Sequence, residues 1–212
     1  MITLLTGAER SYRFDVRQFH RMMASGIFDD QKVELVAGKI YPLIDLPPHT
    51  FAVERLHRAL RELLPGEHWT IREEKPILMN RYWAPKPDIS ILRGSIRTYA
   101  TRFPLPHDAA LLLEVSDATY QRDRGRKWRR YAAAGIPVYI IVRPKGADTV
   151  VEVWTGPTGR GRTARFTEVV RYSARAGESV PIEIDGQEYG QVAVADVVAR
   201  RAADDRTTAG ES

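Results

Sequence analysis

Cysteine is absent from the 212 residues, which excludes disulfide frameworks, thiolate metal sites and cysteine nucleophiles and removes any argument for an oxidising compartment. No apolar run approaches the roughly 18 residues that a membrane helix needs. Met1 to Arg10 holds a short apolar patch but no basic leader, long apolar core or small-residue cleavage site, so export is not expected. The expectation is a soluble, cytoplasmic protein. Lysine is scarce, at positions 32, 39, 75, 86, 127 and 145 only, so arginine fills the other 26 of 32 basic positions. The formal charge is +5 and the pI about 9.5. Arginine suits phosphate because its planar fork donates two parallel hydrogen bonds, although genomic base composition can produce the same bias. Charge of this size permits a nucleic-acid partner without requiring one. The histidines at 20, 49, 57, 68 and 107 lack zinc-like spacing. No serine sits in a nucleophile elbow. Gly156 to Arg162 is glycine-rich but lacks the Gly-Lys-Ser/Thr ending of a phosphate loop, so it reads as a hairpin turn.

What is present reads as one α/β domain, because a chain of 24.0 kDa fits a single core. Asp15 to Ser25 repeats apolar residues at helical spacing, with Asp15 as cap and Gly26 as stop. Lys32 to Val36 and Lys39 to Ile44 form a predicted hairpin around Ala37 and Gly38. Pro47 and Pro48 precede a second helix from about His49 to Leu64. Strands are predicted at Trp69 to Leu78, Asp88 to Leu92 and Ala110 to Ser116, with a long loop from Gly94 to His107. A helix from about Arg122 to Ala134 leads into the apolar strand Val138 to Val142, which makes strand, helix and strand a crossover unit. Short β runs follow at Thr149 to Trp154, Thr163 to Tyr172 and Val180 to Ile184, and Val192 to Arg200 reads as a closing helix. The domain is expected over residues 1–203, with a core at about 12–154, a β-rich extension at about 155–203 and a disordered tail at 204–212.

Three acids interrupt apolar strands. Glu114 lies inside Leu111 to Val115, where burial is costly unless a cation compensates it; a solvated face or a structural ion pair is the plainer alternative. It falls at the carboxyl end of its strand, where open α/β sheets bind ligands. Asp88, in Pro87-Asp88-Ile89-Ser90-Ile91, is by itself an ordinary strand-edge aspartate. If the two strands are neighbours, carboxylates about 4 Å apart repel by roughly 4 kcal/mol at an effective dielectric of 20. A shared divalent cation turns that cost into binding, and hard oxygen ligands suit magnesium or manganese. Lys127 stacks with Asp123, Tyr131 and Ala134 along one helix face, while Arg126, Arg129 and Arg130 read as a solvated basic face. Glu34, in Val33-Glu34-Leu35-Val36, also fits simple hairpin alternation.

In order along the chain, Glu-Leu-Val-x-Gly at 34–38, Pro-Asp at 87–88, Leu-Glu-Val-Ser at 113–116, then Asp123, Lys127, Tyr131 and Gly135 before an apolar strand, resemble the Uma-two family. That family belongs to the PD-(D/E)XK nuclease superfamily, and the similarity runs from about Tyr12 to Trp154. The resemblance implies a restriction-endonuclease-like fold, a mixed central β-sheet flanked by helices, here with a C-terminal β extension. It implies that Asp88, Glu114 and the backbone carbonyl of Val115 bind the metal, with Glu34 supporting it in part through water. Ser116 occupies the usual position of the superfamily lysine, and Lys127 on the next helix replaces it. His49 matches a recurrent histidine to which no chemical role attaches. The implied activity is metal-dependent endonuclease cleavage of DNA leaving a 5′-phosphate, with Arg124, Arg126 and Arg130 on the nucleic-acid backbone and a homodimer as the assembly. The rivals are a catalytically silent nucleic-acid-binding module and a regulatory interaction module. Two departures stand out: Ser116-Asp117-Ala118-Thr119 replaces a more usual Ser-Pro-Ser-Thr, and Arg143 stands where an aspartate commonly ends the strand.

Overall fold

The computed structural model of the chain describes residues 11–43, 46–116 and 119–198. The expected disordered tail and the end of the expected closing helix at Arg200 lie outside them. Two compact units form: residues 1–44 with 78–85, and residues 45–77 with 86–212.

In the first unit, helix α1 (Val16–Ala24) is held by a reciprocal cap. Asp15 Oδ1 accepts the Gln18 N–H at 2.8 Å and the Gln18 side chain accepts the Asp15 N–H at 2.9 Å, which satisfies two donors that a helix start leaves orphaned. Strands β1 (Val33–Val36) and β2 (Lys39–Pro42) pair antiparallel. The turn between them puts both Ala37 and Gly38 at positive φ, 54° and 77°, the backbone of the tight turn that matches strand twist.

The second unit carries a six-stranded sheet in the order β3-β4-β5-β6-β7-β8, comprising β3 (Trp69–Glu73), β4 (Ile89–Arg93), β5 (Ala109–Val115), β6 (Val138–Arg143), β7 (Val150–Thr158) and β8 (Arg165–Ser173). Only β5 and β6 run parallel, and the crossover between them is helical, as the apolar runs predict. β5 is buried along its whole length because both faces are covered. Leu111, Leu113 and Val115 join the core beneath helix α2 (Pro47–Leu63), and strand alternation turns Leu112, Glu114 and Ser116 to the opposite face.

Several elements depart from expectation for local reasons. α2 begins at Pro47 rather than His49, since proline at the first positions of a helix removes an N–H that would be unpaired anyway. The predicted strand from Trp69 to Leu78 stops at Glu73, where Glu74 takes a φ of +46° and donates its N–H to the carbonyls of Pro87 (3.1 Å) and Asp88 (3.2 Å). The closing helix at Val192 to Arg200 is not formed over its described part. Strand β9 (Ser179–Ile184) turns through Asp185 and Gly186, at φ 53° and 79°, into β10 (Gln187–Ala193), followed by a short 3₁₀ turn at Val194–Val197. An Asp-Gly pair between apolar runs is a hairpin signal, and it prevails over the apparent helical spacing of the valines. The 94–107 loop is pinned: Arg102 reaches Asp108 through two contacts of 2.6 and 2.9 Å, and Asp108 accepts the Leu105 N–H at 2.8 Å.

The helical crossover is not one regular helix. It consists of α3 (Tyr120–Arg122), a π-helical turn over Asp123–Lys127 and α4 (Trp128–Ala133). The wider turn is closed by the Trp128 N–H on the Asp123 carbonyl. Such turns recur at functional sites because they re-aim side chains without breaking the helix.

Candidate active site

The antiparallel register pairs Ile89 with Leu113, so one further residue along each strand sets Asp88 across from Glu114. The Asp88 carboxylate bends over the neighbouring backbone, where Oδ2 accepts the Val115 N–H at 2.6 Å. The same oxygen lies 3.2 Å from His49 Nε2, which gives that histidine a place the sequence could not supply. Both contacts use Oδ2, leaving Oδ1 engaged in neither.

Glu114 meets the crossover helix. Its Oε1 accepts Lys127 Nζ at 2.9 Å and the Tyr131 hydroxyl at 2.9 Å. Lys127 Nζ also lies 3.5 Å from Asp123 Oδ1, and Asp123 Oδ2 accepts the Ser116 hydroxyl at 2.7 Å. Tyr139 completes the support by donating to the Asp123 carbonyl at 3.2 Å. Asp123 and Tyr131, which entered the sequence pattern only as spacing, thus touch Lys127 and Glu114 directly. Asp123 was legible as a helix residue four before Lys127, but its hydrogen bond to the strand-end serine was not.

The cluster is nearly sealed: Lys127 and Asp123 are each 1% exposed, Glu114 3% and Asp88 7%. Asp88 is the most exposed of the four. Counted as ionised, three carboxylates here face the Lys127 ammonium and the Arg122 guanidinium, whose Nε lies 4.0 Å from Asp123 Oδ1, which leaves one negative charge in excess among the described residues unless His49 is protonated. Buried charge must be paired, and a cation held by Asp88 and Glu114 would offset that excess. The donor set therefore fits a hard ion that keeps its waters and uses one or two carboxylates. It does not form a closed cage: among the described residues no group of three or more His, Cys, Asp or Glu side chains is arranged to hold a metal.

The remaining predicted residues are placed as follows. Glu34 lies in β1 of the first unit, opposite Tyr41 and fully buried. Val115 ends β5, with its N–H on Asp88. Arg124 is drawn into a structural stack, its guanidinium 3.9 Å from the Trp154 ring centre and its Nε 3.6 Å from Glu152 Oε2. Arg126 is exposed and Arg130 half-buried, and burial pulls the Arg130 pKa below its ordinary value. Arg143 stacks on Tyr120 at 4.3 Å, which explains locally why a cation ends β6. Asp117 and Ala118 lie outside the described residues.

Acids at adjoining ends of two central strands, with a lysine entering from the crossover, form the frame of a restriction-endonuclease-like protein. The model of the Uma2 family, described as "Putative restriction endonuclease", matches residues 16–181, and the chain belongs to that family. Its fold is similar to the crystal structure of a "putative nuclease belonging to DUF820" from Anabaena variabilis ATCC 29413. The TM-score is 0.65 at 14% identity, covering 87% of this chain and 97% of that one. Identity that low speaks for the fold alone. No curated protein sequence matches the chain. Among the described residues no helix is long and apolar enough to cross a membrane.

Proposed function

We propose that the chain is a metal-dependent endonuclease that hydrolyses phosphodiester bonds in DNA. The observation that carries this reading is the meeting of Glu114 with Lys127 at 2.9 Å, on the strand whose register sets Asp88 opposite Glu114. Asp88, Glu114 and the Val115 carbonyl would hold magnesium or manganese. The ion would supply Lewis acidity to the attacking water and offset charge on the phosphate.

The chain's own groups do the rest. Lys127 and Tyr131 share Glu114 Oε1 and so fix the carboxylate's orientation. Asp123, itself held by Ser116, keeps the ammonium in place. Lys127 then stabilises negative charge developing on the phosphoryl oxygens. Water oxygen bonds to phosphorus, the bond from phosphorus to the 3′-oxygen breaks, the water gives up a proton to solvent and the departing oxygen takes one. The products are a 5′-phosphate and a 3′-hydroxyl. Arg126, an exposed member of the basic face, contacts backbone without reading sequence, with Arg130 and Arg124 beside it. The family resemblance adds a homodimer, which sedimentation would read.

Nicking of supercoiled plasmid with manganese tests the reading. The parent should convert it to open circles, and Asp88→Ala, Glu114→Ala and Lys127→Ala should not. The closed state of the cluster favours a second reading, a silent DNA-binding module. Binding without nicking by the parent would establish that one instead.

A further inference from the structure

Outside the acidic cluster, the second unit carries a cleft of about 690 Å³ along the free edge of β3. β3 is the first strand of the sheet order, so its outer backbone groups have no strand beside them. The cleft wraps this edge: His57 and Arg61 of α2 line one side and Arg97 and Tyr99 of the 96–99 turn line the other, with Arg72 and Lys75 along the strand. Four permanent cations, Arg61, Arg72, Lys75 and Arg97, thus face two carboxylates. One of these, Glu73, is already committed to His57, whose Nδ1 lies 2.5 Å from its Oε1.

Arg72 is the unusual member. Its Nη1 is buried without a hydrogen-bond partner, and Arg72 forms no ion pair among the described residues. Burial pushes its pKa down, with only Tyr99 acting against that. A buried guanidinium nitrogen without a partner costs stability, and it persists where an anion completes it. Arg61, Lys75 and Arg97 likewise make no ion pair among the described residues.

We infer that this cleft binds the phosphodiester backbone of a nucleic-acid strand, with Arg72 as its buried anchor. The geometry also gives the strand a path. β3 rises about 3.3 Å per residue, close to the roughly 3.4 Å of axis per nucleotide in one strand of a duplex. At the far end the Glu74 N–H reaches the Asp88 carbonyl at 3.2 Å, so a strand laid along the cleft ends beside the acidic cluster. The inference deepens the nuclease reading and rests on it for the identity of the ligand. A bare edge strand also accepts an extended peptide, but the net positive lining and the unpartnered Arg72 Nη1 favour phosphate.

The test is fluorescence anisotropy of the full chain with labelled single-stranded and duplex oligonucleotides in EDTA, over a salt series. Arg72→Met combined with Arg97→Glu is expected to weaken binding at least about tenfold and to flatten the salt dependence by about two contacts. Arg72→Met alone should melt no lower than the parent, since it removes a half-buried charge with an unpartnered nitrogen. If Arg72→Met nevertheless fails to fold, Lys75→Glu with Arg97→Glu, both exposed, must give the same loss. Unchanged affinity and salt slope in either double variant overturns the inference. Displacement by poly-glutamate as effective as by unlabelled oligonucleotide overturns it too, in favour of an acidic polypeptide. Binding that depends on these arginines in a parent that never nicks plasmid overturns the catalytic reading and leaves this one standing. A greater effect on the duplex or on the single strand tells which form the cleft takes.

Discussion

Two buried glutamates lie on one row of the same sheet and differ in how their charge is met. Glu114 pairs laterally with Ile141, and Ile141 with Glu152, so both acids point to the same face about 9.5 Å apart, two strand spacings. Glu152 is closed on both oxygens. Arg171 Nε lies 3.1 Å from Oε1, and Trp154 Nε1 donates to Oε2 at 3.2 Å with Arg124 Nε 3.6 Å away. Two guanidiniums there outweigh one carboxylate. Around Glu114 the balance reverses: among the described residues Glu114, Asp88 and Asp123 are three carboxylates against two cations, Lys127 and Arg122. Burial of an acid therefore separates nothing by itself; the sign of the charge left over separates a structural pair from a place that calls for a cation.

The comparison breaks most sharply at Lys127. Lys127→Ala leaves Glu114 buried without its ammonium, an expected loss of about 3–5 kcal/mol in urea unfolding. Arg171 is more than half exposed, and Arg171→Ala should cost less than about 1 kcal/mol. Equal losses would show the two acids to be of one kind. Next in size is the response to metal. Manganese at about a hundred times its dissociation constant should stabilise the parent by about 2.7 kcal/mol, and should do the same for Glu152→Gln but not for Asp88→Asn. A thermal shift retained in Asp88→Asn would remove the metal from the cluster.

A smaller effect concerns pH. Arg102 holds the Asp108 carboxyl below its ordinary value of 3.8, and Arg93 does the same for Asp185. Folded chains keep these charges to lower pH than unfolded ones. Their contribution is complete above about pH 4 and fades as pH falls through the depressed folded values. Acid unfolding followed with Asp108→Asn and Asp185→Asn should lose that part of the slope. The smallest change is expected for Gly125→Ala in the π-helical turn, where an added Cβ meets nothing within 4 Å. Helix propensity predicts a gain of up to about 1 kcal/mol. If stability rises while nicking falls, the turn has relaxed towards an ordinary helix.

Much of the second unit was legible because its signals are strong. Ala110 to Ser116 and Val138 to Val142 are apolar on both faces, which only a covered central strand tolerates, and the helix between them forces a crossover. The glutamate inside the first of these runs pointed to a cation nearby, and Lys127 was the lysine at the right helical spacing. Other features left weaker traces. Glu152 alternates with Val151 and Val153 like any half-exposed strand residue, and its partners come from Arg124 and Arg171, far apart in the chain. The π-helical turn has no pattern of its own, since it differs from an α-turn by one residue. The hairpin at Asp185 and Gly186 was readable, and the helical spacing of Val192, Val194 and Val197 masked it. The sealing of the cluster follows from packing that no local spacing encodes.

The extra residue in the turn at 123–127 couples the ammonium to the helix rather than to the sheet. An ordinary helix advances about 100° per residue, so removing one residue there would swing every side chain upstream of the turn by that angle relative to Lys127 and α4. The strands carrying Asp88 and Glu114 would stay where they are. A change in winding alone would thus part Asp123 from Lys127, with Asp88 and Glu114 still in place.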